Sequence, residues 1–284
     1  MEKKNKIMVR LLRCLVCFAL TVAVAVGGLS CSTKPSQPPP TKLRVYVAAG
    51  LSPAMDEMSA EFTRQTGILL EIDYAGSGVL LSRLKVTRQG DLFLPAEPDY
   101  IDMARKDGLV KDASSVAYVW PVILVAKGNP KGIATLADLA RPDLRIGLGN
   151  PESCQIGRAS LDVLKKNAID LDAVGKNVVV RTTTVNELGL QVKTGHLDAT
   201  IVWDATARLY AGAADAVQIP PAQNKISQYQ VAVLSFSKQP TEAGRFVDFL
   251  RGPDARTILV KHGFSLQTPV ASGAASEPAS RERP

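Results

Sequence analysis

The 284-residue chain predicts an α/β fold of parallel or mixed sheets with helices on both faces. Three observations predict it. Short β-rich runs alternate with helix-patterned runs from residue 43 to residue 263. Several helix-patterned runs begin at Ser, Thr or Pro and stop at Gly. The chain is 46% hydrophobic and 21% charged, the balance of a soluble protein with a sizeable core.

The elements follow in order. LRVYVAA (43–49) predicts a strand. SPAMDEMSAEFTRQTG (52–67) predicts a helix with Ser52 as cap, Pro53 in the first helical position and Gly67 as stop. Its Met55, Met58 and Phe62 recur at i, i+3 and i+7 and share one face. ILLEIDYA (68–75) is the next strand, VLLSRLKVTRQ (79–89) the next helix, and DLFLPA (91–96) a short buried strand. PDYIDMARKDG (98–108) is a helix closed by Gly108. Strand 119–127, helix 135–140, strand 144–149 and helix 156–168 come next. Strand 177–182 leads to helix 185–195, in which Val185, Leu188 and Val192 share a face. Strand 198–203, helix 205–212 and strands 216–220 and 229–236 precede two closing helices, TEAGRFVDFLRG and PDARTILVKHG.

The ends have a different character. A basic stretch (1–13) precedes an apolar run (14–28), then Leu29, Ser30 and Cys31, the order of an export signal. The cysteine after small residues resembles the lipobox of bacterial lipoproteins, with Gly28 where that motif carries Leu. The expectation is a signal at 1–30 and lipidation at Cys31; a plain cleaved signal or an uncleaved anchor are the alternatives. Residues 31–42, with prolines at 35, 38, 39 and 40, read as an extended tether. Residues 269–284 lack large apolar side chains beyond Val270 and read as a disordered tail.

Residues 1–30 hold five basic side chains and one acid, so about +3 of the chain's +7 remains after them. That is too mild for a nucleic-acid surface. Cys154 is then the sole thiol of the body, which excludes an internal disulfide there.

The strand-to-helix junctions share a chemistry. AAGLSPA offers Gly50 and Ser52; AGSGV offers Ser77 and Gly78; NPESCQIGRA offers Gly157; TTTVNE spaces Thr184 and Glu187 as a capping box; VWDATA places Trp203 at a strand end. Helix N-termini carry unpaired amides and partial positive charge, which suit an anion. Each junction alone also reads as an ordinary turn. Competing chemistries find less support. Ser77 is flanked directly by glycines, not spaced as G-x-S-x-G. His196 and His262 sit in turn-like contexts, no cluster has metal-ligand spacing, and no Lys-Ser or Lys-Thr follows the GSG to make a phosphate loop. Cys154 reads as a buried thiol.

VYVAAGLSPAMDEMSAEFTRQTG, YAGSGVLLSRL, DLFLPAEPDYIDMARKDGLV, GNPESCQIGRASLDVLKK, ATIVWDATARLY and FVDFLRGPDARTILVKHGFS stand in the order found in the molybdate-binding proteins of bacterial ABC importers, which this chain resembles over about 43–267. The resemblance implies a two-lobed type 2 periplasmic-binding-protein fold. One lobe would be 43–121 plus 232–268 and the other 122–231, joined by two hinge crossovers. It implies an oxyanion of the molybdate or tungstate type between the lobes, an inner-membrane ABC permease as partner and no enzymatic activity. Lipidation at Cys31 would add a lipid anchor to the membrane, the mild charge predicts no nucleic-acid partner, and a monomeric receptor with no cofactor is expected. Sulfate, phosphate, a small organic anion, or a sensor of the same fold are the other readings. The family's serine and amide contacts fall on Ser77, Ile156 and Val185. At its first serine stands Gly50, with Ser52 nearby as a substitute, and at its tyrosine stands Trp203, which donates but cannot accept.

Overall fold

A computed structural model describes residues 40–268. The expected signal (1–30), Cys31, most of the tether and the tail (269–284) lie outside the described residues.

Two five-stranded mixed sheets form the body. In the first, the order is Leu69–Ala75 (β2), Lys42–Ala48 (β1), Leu92–Leu94 (β3), Ser227–Leu234 (β10) and Val110–Val119 (β4). β1 runs parallel to β2 and β3, and β10 runs antiparallel to β3 and β4. In the second, the order is Val178–Thr182 (β7), Ile146–Gly149 (β6), Ala199–Trp203 (β8), Pro121–Ala126 (β5) and Ala214–Gln218 (β9). β6 is parallel to β7 and β8, and β5 is antiparallel to β8 and β9. Each sheet is therefore a parallel core closed by one reversed strand, a pattern made by β-α-β crossovers.

Helix α1 (Ser52–Thr66) buries Met55, Met58 and Phe62, and Gly67 ends it at φ +73°, a left-handed turn that glycine adopts without strain. Ser52 does not cap it: the chain enters through a 3-10 turn at Ala49–Leu51, and Leu51 holds the cap position. α2 (Ser77–Thr87) and α3 (Pro98–Lys106) share a second apolar cluster with Tyr46, Phe93 and Leu234. In the second sheet's half, α4 (Gln155–Lys166), α6 (Val185–Lys193) and α7 (Asp204–Leu209) each follow a strand. α8 (Pro240–Arg251) and α9 (Pro253–Lys261) return to the first sheet's half, where Phe246 and Phe249 pack on Phe62.

Two elements carry no expectation from the sequence. β4 is polar along much of its length, an edge strand held by pairing with β10 rather than by its own apolar pattern. α5 (Leu171–Asn177) is a short helix started by Asp170, whose carboxylate accepts from the amides of Asp172 and Ala173. The TLADLA run forms a 3-10 turn, Leu136–Ala140. The expected lobe boundary at 231/232 also needs correction, because it cuts β10, which pairs with β4 from Ser227 onward. The chain returns to the first sheet by residue 227.

The two passages between sheets lie side by side. Trp120 alone separates β4 from β5, and Ser227 at the start of β10 pairs with Val119 at the end of β4. Asn224 ties the second passage to the first by donating from Nδ2 to Pro121 O at 2.8 Å.

Candidate functional site

The carboxyl ends of β1 and β2 face the starts of α4 and α6 across a small cavity of about 20 Å³, room for a compact ion. Segments 48–50, 75–77, 154–156 and 184–185 line it, with Ala96, Trp203 and Tyr229. Of the residues singled out in the sequence, Gly50, Ser77, Ile156, Val185 and Trp203 meet there. Ser52, Gly78 and Gly157 do not line it.

Ser77 opens α2 and is 1% exposed. Its Oγ accepts the amide hydrogen of Ala96 at 3.1 Å. The hydroxyl proton is left for another acceptor, so the serine is set up to donate. The flanking glycines have a steric role. A Cβ at Gly76 would collide with the carbonyl oxygens of Ser153 and Thr183, and one at Gly78 with that of Glu152. The Gly-Ser-Gly turn is thus seated directly on the backbone of the other half.

On that side, Ile156 and Val185 lie in the first turns of α4 and α6, where amides have no intrahelical acceptor. Gly157 is different. Its amide donates to Cys154 O at 3.0 Å, and a Cβ there would strike Gly149 O, so it serves the packing of α4 on β6. Thr184 Oγ1 accepts from Glu187 N at 3.4 Å, while the Glu187 carboxylate reaches Thr183 N at 3.3 Å. Only half of the expected capping box forms.

Gly50 is the floor of the cavity. A Cβ on it would lie 2.7 Å from Tyr229 Oη, 3.1 Å from Val185 Cγ1 and 3.5 Å from Trp203 Cδ1. The missing side chain makes room for the Tyr229 hydroxyl, which is fully buried and has no hydrogen-bond partner. Burial, reinforced by the acidic groups of Cys154, Asp204 and Glu97, holds the phenol well above its ordinary pKa. It stays protonated and able to donate. Nothing in the sequence marked Tyr229: it lies mid-strand on β10, brought to the site by the return passage.

Ser52 lies between the halves. Asn186 Nδ2 donates to Ala49 O at 3.0 Å and to Ser52 Oγ at 3.3 Å. Behind Trp203, Asp204 accepts from Trp120 N at 3.1 Å and donates its own amide to Trp120 O at 2.9 Å. Burial raises its carboxyl to about 6, against the pull of the Trp120 and Ala205 amides and of Arg208.

Among the described residues no carboxylate lines the cavity. Burial pushes the Cys154 thiol up to about 12, although the amides of Ile156 and Gly157 oppose it, so no thiolate nucleophile is available. His262 pairs with Glu57 at 2.8 Å and His196 with Thr194 at 2.8 Å; neither touches Ser77. Among the described residues no cluster of His, Cys, Asp and Glu could hold a metal ion.

A model of the family described as bacterial extracellular solute-binding protein matches residues 43–265. The chain belongs to that family. It is a family of binding proteins, not enzymes. The molybdate-binding protein ModA of Mycobacterium tuberculosis is 30% identical over 246 residues, covering 85% of this chain and 92% of that protein. Two solved structures share the two-lobed type 2 fold. The sulfate-binding protein SubI of M. tuberculosis aligns at TM-score 0.72 and 21% identity, over 81% of this chain and 89% of that one. The periplasmic molybdate-binding protein of Azotobacter vinelandii aligns at TM-score 0.69 and 20% identity, over 80% and 100%.

Proposed function

We propose that this family member is the receptor of an ABC importer for a tetrahedral oxyanion of the molybdate or tungstate type, held between its two lobes. One observation carries the reading: the cavity between the lobes is lined by uncharged donors and by no acid. Ser77 Oγ, Tyr229 Oη and the first-turn amides of Ile156 and Val185 are the ligand groups, and Trp203 walls the cavity. The likeness to ModA proteins supports the choice of anion.

The mechanism is dehydration followed by closure. A small dianion gives up its water shell and gains charge-assisted hydrogen bonds of about 1.5–3 kcal/mol each. Neutral donors bring no mobile charge and little bulk, so the distance between helix starts selects size. The paired passages at Val119–Pro121 and Asn224–Ser227 are the hinge. Lipidation at Cys31 would hold this receptor at the membrane beside its permease, with the proline-rich stretch as spacer.

Thermal unfolding against molybdate, tungstate, sulfate and phosphate tests the reading. A ligand that binds the folded state alone raises Tm by mass action. The expected order places molybdate and tungstate above sulfate, with phosphate last because it keeps a proton for which the described cavity holds no carboxylate acceptor. A larger shift with sulfate would reassign the substrate; no shift with any of the four would remove the anion reading.

A further inference from the structure

Gln155 opens α4 and is 3% exposed. The residue lines the same cavity, and its buried Nε2 and Oε1 have no hydrogen-bond partner among the described residues. An unpaired amide donor on a buried side chain is costly unless a ligand supplies its acceptor. Two other sets of polar groups at the cavity are placed to donate: the Ser77 hydroxyl, whose oxygen already accepts from Ala96, and the first-turn amides of the helix starts. Gln155 is different, because it presents one donating and one accepting atom, and the group can turn end for end.

We propose that Gln155 is a further ligand-binding residue of this cleft, its neutral carboxamide donating from Nε2 to an ionised oxyanion oxygen, which a carboxylate at this position could not do. Nε2 turned inward bonds a fully ionised oxygen. A carboxylate of the same length could only accept, so it would repel that oxygen and favour one that keeps its proton. The inference rests on the anion-receptor reading above and deepens it.

The test is calorimetric titration of wild type, Gln155→Leu and Gln155→Glu with molybdate, sulfate and phosphate at pH 7.5, together with the Tm of each protein without anion. Gln155→Leu removes both unpaired atoms at similar size. Its anion-free Tm is expected to equal or exceed that of wild type, while its affinity for molybdate falls about 10- to 100-fold. In Gln155→Glu the affinity for sulfate and molybdate falls further, and the ratio of phosphate to sulfate affinity rises at least about tenfold. Binding by Gln155→Leu within about twofold of wild type overturns the proposal. So does a fall in its anion-free Tm alongside the loss of affinity, which marks a structural role. If wild type binds anions and the variants match it, only the role of Gln155 fails; if wild type binds none, the receptor reading fails and carries this inference with it.

Discussion

The amide of Ala96 donates to Ser77 Oγ at 3.1 Å, and both groups are buried. This single contact turns an ambiguous Gly-Ser-Gly turn into a directed donor. The serine oxygen is engaged as an acceptor, so its proton is left for another partner, and Ser77 lines the cavity. The same contact argues against a nucleophile, since no base approaches to take that proton. In Ser77→Ala the proposed anion loses a donor and the Ala96 amide loses its acceptor. Affinity for the true ligand is expected to fall about 10- to 100-fold, and stability without ligand by about 1–3 kcal/mol. Titration calorimetry and denaturant unfolding measure the two. Unchanged affinity would falsify the placement of the site.

Tyr229 and Gly50 form the second pair to be probed. Tyr229→Phe deletes a buried hydroxyl that has no partner in the ligand-free chain, so stability without ligand should hold or rise slightly. Anion affinity should drop about tenfold or more. Gly50→Ala places a methyl 2.7 Å from the same hydroxyl, a separation the structure cannot keep. It should weaken binding at least as much as Tyr229→Phe. If Gly50→Ala binds like wild type, the floor of the cavity is not where the anion sits.

The site was partly legible because its punctuation is local. Gly76-Ser77-Gly78, Pro53 and the Thr184 cap each signal a helix start within a few residues, and several such starts meet at one cavity. What the sequence hid depends on distant pairing. Tyr229 reaches the cavity only because β10 crosses back antiparallel to β3 and β4. Gly157 looked like a ligand glycine, yet its partner is Gly149, on another element, and close packing explains it. Gln155 carries no local signal at all, since an amide side chain at a helix start is ordinarily solvated. β4 lacks alternation because pairing with β10, rather than a buried face of its own, holds its polar stretch in the sheet.

Asn186 links the lobes. Its Nδ2 donates to Ala49 O and Ser52 Oγ across the cleft, one helical position after Val185. A contact made only when the lobes meet favours the closed state, and through it the bound state. Asn186→Ala should weaken ligand binding by about 2- to 10-fold, the worth of one ordinary hydrogen bond, without changing which anion binds best. Small-angle scattering should show the liganded variant more extended than liganded wild type. An altered order of anion preference would instead place Asn186 on the ligand.

Asp204, which accepts from Trp120 N between the two sheets, is expected to make folding stability depend on pH. Burial raises its carboxyl to about 6 in the folded chain, against 3.8 for the free group. The folded state therefore holds the proton more tightly than the unfolded state does. By linkage, this group leaves stability at its highest below about pH 4, and stability falls as pH rises toward 6. Above 6 the penalty is constant, on the order of 2–3 kcal/mol. Asp204→Asn mimics the protonated form and keeps an oxygen to accept from Trp120 N. Its Tm at pH 7.5 is expected to exceed that of wild type by several degrees, and the difference should shrink to near zero by pH 4. Anion affinity should change with the same sign, because an ionised Asp204 lies behind Trp203 and opposes a dianion in the cavity. The decisive quantity is the variant-minus-wild-type Tm plotted from pH 4 to pH 8. A flat line would mean that the carboxyl ionises as freely in the folded chain as in the unfolded one.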